Sequence, residues 1–341
     1  MIALVSILIP AYNAENTLAE TIESALAQTW RRTEIIVLDD GSRDRTAEVA
    51  QRFEPRVKVV SMPNQGAAGA RNQLFRLSKG DYIQWLDADD LLAPDKIERQ
   101  LAALNGSPDK RVLLASPWAP FFFRMHHAHF TPDSLWQSLT ALDWLLHKMG
   151  ENLYTQTATW LTSRELAEAA GPWDTRVLSD DDGEYFCRVL LAAGRTHFVP
   201  DAKVYYRTSA SSRLSYVGSS DRKKNALLVS MKLHVQYLRS LEESERVREA
   251  CLTYLRNWFL VFYPERPDLV AELQKLAVEL EGSLDAPALR WKYAWIRPVF
   301  GWKAAKWAQL RLPEFKSSCL RSCDRTLYRL AGERAVVNGR V

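Results

Sequence analysis

The chain has 341 residues, 47% hydrophobic and 25% charged, enough apolar material for one large α/β domain with additions or for two domains, which excludes a disordered chain. Four cysteines are too few for a disulfide scaffold; Cys319 and Cys323 are spaced as a helical pair with no His or Cys nearby to complete a zinc site, so reduced cytoplasmic thiols are expected. The net charge of +4 hides a split, because residues 286–341 carry 12 Lys/Arg against three Asp/Glu, while the remainder carries 33 against 38.

The N-terminus lacks the basic segment and small-residue cleavage site of a signal peptide, and Ala3–Ile9 reads as a first strand. The longest apolar runs, Ala3–Ile9 and Trp118–Phe123, fall well short of the roughly 18 residues of a membrane span. Strands are predicted at Val5–Ile9, Glu34–Leu38, Val57–Val60, Tyr82–Leu86 and Val112–Ala115. Helical patterns separate them: Leu18, Ile22, Ala25 and Leu26 on one face, then Ala47–Phe53, Ala67–Leu77 and Ile97–Leu104. Apolar strands alternating with amphipathic helices imply a mainly parallel sheet covered on both faces, a Rossmann-like α/β arrangement. From 116 to 160 the pattern loosens. Asp180-Asp181-Asp182 then precede a helix with Tyr185, Phe186, Val189 and Leu190 on its buried side, and residues 198–209 read as one closing strand. Beyond 215 the chain reads as helical, at Asn225–Leu241, Glu245–Phe262 and Asp268–Leu280, ending in a Trp-rich tail that Pro298 splits in two. The expected division is a domain over 1–215, with halves 1–115 and 116–215, and a helical region over 216–341.

Ligands of such sheets bind beyond the carboxyl ends of the strands, so the residues after each strand carry the information. They are Pro10-Ala11-Tyr12-Asn13, Asp39-Asp40-Gly41-Ser42, Asn64-Gln65-Gly66 with Arg71 in the next helix, and Asp87-Ala88-Asp89-Asp90. One polar turn is routine; four on one edge suggest a shared pocket. Tyr12 can stack a nucleobase, Asp40 can accept from base N–H groups, and Arg71 can reach a base carbonyl or a diphosphate. The acids at 87–90 repel one another. A helix cap explains one of them, for which Asp90 is the candidate, and poorly explains three. A hard divalent cation, Mg²⁺ or Mn²⁺, would neutralise them.

At this point the residues carry a resemblance. "VSILIPAYNAENTLAETIESALAQTW", "EIIVLDDGSRDRTAEV", "NQGAAGARN" and "GDYIQWLDADDLLAPDKIERQ" are similar, in this order, to the signatures of family 2 glycosyltransferases, the inverting class with a GT-A fold. The likeness is close over residues 4–101 and resumes over 171–207. It implies that Pro10, Ala11, Tyr12, Asn13, Asp39, Asp40, Asn64, Gly66 and Arg71 hold the nucleotide of a nucleotide-sugar, with a UDP-sugar expected. Asp87-Ala88-Asp89 resembles the family's DXD motif, with Asp87 towards the ribose and metal and Asp89 on the metal. Asp181-Asp182-Gly183-Glu184-Tyr185 resembles its second acidic motif, with Asp182 in the position of the catalytic base and Asp181 beside it. One departure stands out: Ser209 follows Tyr206-Arg207-Thr208 where family members often carry His.

The implied acceptor is a hydroxyl of a saccharide or lipid-linked saccharide, in cell-surface polysaccharide or glycolipid synthesis. A sugar-phosphate nucleotidyltransferase would show a Gly-rich basic loop after the first strand, and a receiver-like or donor-binding module would not need acids at 180–184. The tract His126-His127-Ala128-His129 has no acid beside it and is not read as a metal site, and His197 is read as structural. The tail has two readings: aromatics packed on the catalytic domain, or an interfacial membrane contact from the cytoplasmic side. Nucleic acid is not an expected partner, because no recognition motif accompanies the charge.

Overall fold

The structure is a computed structural model that describes residues 2–104, 111–208, 220–287 and 289–337. The first half runs β1 (Val5–Ala11), α1 (Leu18–Leu26), β2 (Thr33–Asp39), α2 (Thr46–Gln51), β3 (Lys58–Ser61), α3 (Gly66–Leu77), β4 (Tyr82–Trp85), β5 (Leu91–Leu92), α4 (Lys96–Ala102), β6 (Leu113–Ala115) and β7 (Trp118–Phe121). Then follow α5 (Ala141–Gly150), β8 (Thr162–Ser163), α6 (Arg164–Ala170), α7 (Asp181–Ala193), β9 (Thr196–Phe198) and β10 (Val204–Arg207). The rest of the described chain is helical: α8 (Asp221–Leu241), α9 (Glu245–Phe262), α10 (Pro267–Glu279), α11 (Trp291–Ala294) and α12 (Ile296–Val337).

The central sheet has the order β3-β2-β1-β4-β8, parallel except for the last strand. Side chains alternate across a strand, and β1 uses both faces. Val5, Ile7 and Ile9 pack with Leu18, Ile22 and Val37 on one side, and Leu8 packs with Ile36, Leu38 and Leu74 on the other. That is why these strands read as continuous apolar runs rather than alternating ones. The second face is shared with the helical region. Leu227, Met231 and Val235 of α8 and Tyr254 and Phe259 of α9 belong to the same buried cluster as Trp160, Tyr185 and Leu190.

Three expectations change. The single closing strand over 198–209 is two short strands, β9 and β10, with a turn between them, and each joins a different small sheet. Val199 turns its N–H to the carbonyl of Ala115, ending the β6 ladder, before Val204 pairs with Leu92 and Trp118. The Val112–Ala115 run likewise pairs with β9, outside the five-stranded sheet. The tail breaks at Gly301 (φ 78°, ψ 177°), not at Pro298. Proline is tolerated in the first turn of a helix, where its missing N–H has no partner to lose, whereas a left-handed residue interrupts the helix and favours glycine.

Candidate active site

The parallel order sets the carboxyl ends of β1 to β4 side by side, and hydrogen bonds then lock the four turns together. Asn13 N–H donates to Ser42 Oγ at 2.9 Å, and Arg43 N–H donates to Asn13 Oδ1 at 2.8 Å. Pro10 and Ala11 finish β1 opposite Leu38 and Asp39, and Asp39 Oδ1 accepts from Ser42 N–H at 3.2 Å. Asp40 ties the second turn to the third: its two carboxylate oxygens accept from the N–H groups of Gln65 (2.8 Å) and Gly66 (2.9 Å) at the start of α3. Burial pushes the Asp40 carboxyl above its ordinary range, and those two N–H donors pull it back. Asn64 Nδ2 donates to the Asp40 carbonyl at 2.8 Å, and the Ala88 carbonyl accepts from the Thr17 hydroxyl at 2.9 Å. Tyr12 stands at the rim, 48% exposed.

Gly41 is required by this crowding. It sits at φ +71°, and a β-carbon there would lie 2.8 Å from the Asn64 backbone nitrogen. The obstacles, the Asn64 nitrogen and the Met62 carbonyl at 3.3 Å, are both backbone, so Gly41→Ala should cost on the order of 2–4 kcal/mol. A thermal melt should show a clear loss of stability, and an unchanged midpoint would mean that the two turns are not in contact.

The second acidic group reaches the same place. Asp180 adopts a left-handed conformation (φ 59°) just before α7 and folds its carboxylate over the helix start. A β-carbon at residue 183 would lie 2.1 Å from Asp180 Oδ1, which explains a glycine directly after three aspartates. Arg71, from α3, joins the two acidic groups: its guanidinium donates to Asp87 Oδ1 at 2.8 Å and to Asp181 Oδ2 at 2.6 Å. The same guanidinium lies 4.4 Å above the centre of the Trp173 ring. Burial pushes the Asp181 carboxyl up to about 6, against the pull of Arg71. Burial, then Asp180, also raise Asp182, which Arg71 again opposes. Asp182 makes no ion pair among the described residues; Thr157 Oγ1 donates to its Oδ2 at 3.2 Å and Gly183 N–H to its Oδ1 at 2.9 Å.

Asp90 is not a helix cap. Its residue is fully buried; Arg207 N–H donates to its Oδ1 at 2.8 Å, and Gln156 Nε2 donates to its Oδ2. The α4 helix begins later, after Asp95. The Arg207 side chain, in turn, donates to the carbonyls of Asp89 (2.8 Å) and Phe122 (3.3 Å) and to Glu20 Oε2 (2.5 Å). Asp90 and Arg207 thus hold the backbone on which Asp89 is displayed.

Residues 6–129 match the family model described as glycosyl transferase family 2. Over this stretch the chain is similar to glycosyl transferase family 2. An uncharacterized glycosyltransferase of Rickettsia typhi is 40% identical over 131 residues, covering 38% of this chain and 41% of that protein. The chondroitin synthase of Pasteurella multocida is 46% identical over 100 residues, 28% of this chain and 10% of that one. The chain therefore spans well under two thirds of these relatives. Among solved structures, Staphylococcus aureus TarS 1-349 in complex with UDP-GlcNAc superposes with a TM-score of 0.65, at 17% identity and over 81% of each chain. That likeness carries the fold, which is GT-A.

Within the matched stretch, Asp87 and Asp89 offer hard oxygen donors, and Asp87 commits only Oδ1 to Arg71. Among the described residues no group of three or more His, Cys, Asp or Glu is arranged to hold a metal alone. This donor set fits Mg²⁺ or Mn²⁺ held by one or two carboxylates and completed by substrate phosphates. Ser209 lies outside the described residues. His126 and His127 form an exposed 3₁₀ turn with their rings tilted against each other at 4.4 Å, and His197 is exposed on β9. Sequence reasoning passed over Thr157, Trp173, Gln156 and the role of Arg207. Only Arg207 left a signal, as half of the Tyr-Arg pair of the family pattern.

Proposed function

We propose that the chain is a metal-dependent, inverting glycosyltransferase that moves a hexosyl or N-acetylhexosaminyl group from a UDP-sugar to a hydroxyl of a saccharide or lipid-linked saccharide. Its place would be the cytoplasm, at the inner face of a membrane, in cell-surface polysaccharide or glycolipid synthesis. The observation that carries this reading is the Arg71 bridge between Asp87 and Asp181, which brings the donor-side acids and the base-side acids into one site. The family match supports sugar transfer, and the UDP-GlcNAc complex of TarS supports a uridine donor.

In this reading Tyr12, Asp39, Asp40, Asn64 and Gly66 form the nucleotide end of the site, with Pro10, Ala11, Asn13 and Ala88 shaping it. Asp89 and Asp87 would hold the metal, which would supply charge stabilisation for the departing diphosphate so that no protein acid need protonate it. Asp182 takes the proton from the acceptor hydroxyl as that oxygen attacks the anomeric carbon. Asp182 suits this better than Asp181, because Asp181 is held in an ion pair by Arg71 at 2.6 Å and Asp182 is not. Asp181 positions Arg71.

The test is a thermal-shift screen of nucleotide-sugars with and without Mn²⁺. Binding to the native state raises stability by about 2.7 kcal/mol at a ligand concentration one hundred times Kd. UDP-sugars should raise the midpoint in Mn²⁺ and much less in EDTA. Equal shifts in both would remove the metal from the proposal, and no shift with any nucleotide-sugar would remove the donor.

A further inference from the structure

The tail does only part of what a packing role predicts. One side of α11 and α12 is anchored: Tyr293, Ala305 and Ala308 are buried, and Trp302 meets Tyr263 edge-on at 5.0 Å. Lys306 Nζ donates to the carbonyls of Val261 (3.0 Å) and Tyr263 (2.8 Å) and to Glu265 Oε2 (2.5 Å). The other side is left bare. Trp291, Trp295, Phe300, Trp307 and Phe315 are between 61% and 88% exposed. Residues 286–313 contain six Lys/Arg and no Asp/Glu, and apart from the anchored Lys306 these cations are exposed.

We infer that residues 290–312 form a docking face for an anionic phospholipid bilayer, on which α11 and the start of α12 lie without crossing. Indole and phenyl rings beside arginines and lysines match the depth profile of an interface, with rings at the headgroup level and cations against anionic lipid. Among the described residues no helix is long and apolar enough to span a membrane, which leaves a surface contact. A second copy of the chain is a poor occupant, because a two-fold contact sets the same basic surface against itself. Exposed aliphatic residues in the same stretch, Val299, Leu310 and Leu312, suit acyl chains.

The face is also joined to the site. Further along α12, Asp324 Oδ1 accepts from Arg124 Nε at 2.6 Å, and its Oδ2 accepts from Phe123 N–H at 3.0 Å. Tyr328 places its hydroxyl 3.3 Å from Glu20, the carboxylate that holds Arg207 and, through it, the Asp89 backbone. The part of α12 beyond Gly301 therefore links the lipid-facing segment to the rim of the donor site, where an acceptor carried on a lipid would arrive. The acceptor part of this inference rests on the proposed function; the lipid contact does not.

The experiment is co-sedimentation of the full chain with vesicles of phosphatidylcholine alone and of equal parts phosphatidylcholine and phosphatidylglycerol, with tryptophan emission as a second readout. The chain should bind the mixed vesicles, with a blue shift, and leave the neutral ones. The variant Trp295→Ala, Phe300→Ala, Trp307→Ala should lose binding. Arg290→Gln, Lys292→Gln, Arg297→Gln should weaken it on the order of a hundredfold. Both variants should keep the native melting point and the UDP-sugar thermal shift, so a failure of donor binding is read separately. No binding, equal binding to both vesicles, unaltered binding by the aromatic variant, or a dimer that those substitutions dissociate would each overturn the inference.

Discussion

Asp182→Asn should abolish sugar transfer, by about 10²–10⁴-fold, while leaving UDP-sugar binding in place. The substitution keeps an oxygen to accept from Thr157 or Gly183 and removes only the basic lone pairs and the charge. Stability should not fall. Asp180, Asp181 and Asp182 are packed at one helix start, where burial raises all three pKa values and like charges add to the cost. Taking one charge away relieves the other two, so the melting point should hold or rise. Isothermal titration with the donor and a transfer assay separate the two readouts. Transfer preserved in the variant would remove the base role, and lost donor binding would move Asp182 to the nucleotide side.

The same chemistry sets the pH dependence. As the proposed base, Asp182 would have to be ionised to accept the proton, and burial raises its pKa above the ordinary carboxylate value of about 3.9. Activity should therefore fall as pH drops through a range above that of an exposed aspartate, with the proton-bound form inactive below it. An acid limb at the ordinary carboxylate value in a profile of kcat/KM would contradict the buried environment.

Much of this site could be read from the chain because strand ends declare themselves. An apolar run such as Ile35–Leu38 can only be a buried strand, and the Asp, Asn and Gly that follow it must then lie on the ligand edge. What escaped were partners set by tertiary structure. Asp90 reads as a cap because it follows a strand and precedes a helix, yet its partner Arg207 is 117 residues away. Lys96, at the start of α4, is fully buried with its ammonium on Gln84, and burial lowers its pKa well below the usual lysine range, which nothing in the local sequence marks. Trp173 follows Gly-Pro like an ordinary loop aromatic, and only the fold puts it under Arg71. The helical region was legible in its element bounds. Its reach into the site was not: His234 of α8 lies 3.6 Å from Asp180, and Tyr237 donates to Glu184 at 2.7 Å.

Arg71→Met should destabilise the fold by about 3–5 kcal/mol near neutral pH, because it strands two carboxylates that share one cation. The Arg71 side chain is 6% exposed; its guanidinium spans Asp87 and Asp181 and lies over Trp173, so its charge, its fork and its planar face are all in use. Arg71→Lys should recover little, since a point charge can neither bridge both acids nor stack as a plane. The pH dependence gives the specific signature. In the wild type Arg71 holds the Asp181 pKa down to about 6 against burial. Without it the folded-state pKa of Asp181 rises further above its unfolded value of about 3.9, so the folded variant binds more protons than its unfolded form across that interval. Its stability must then fall as pH rises through the interval, and its deficit against the wild type must narrow as pH drops into it. Urea denaturation at mildly acidic and at neutral pH measures this directly. A deficit that is the same at both would mean that the loss is one of packing on Trp173, and no deficit at all would mean that Arg71 does not hold the two acidic groups together.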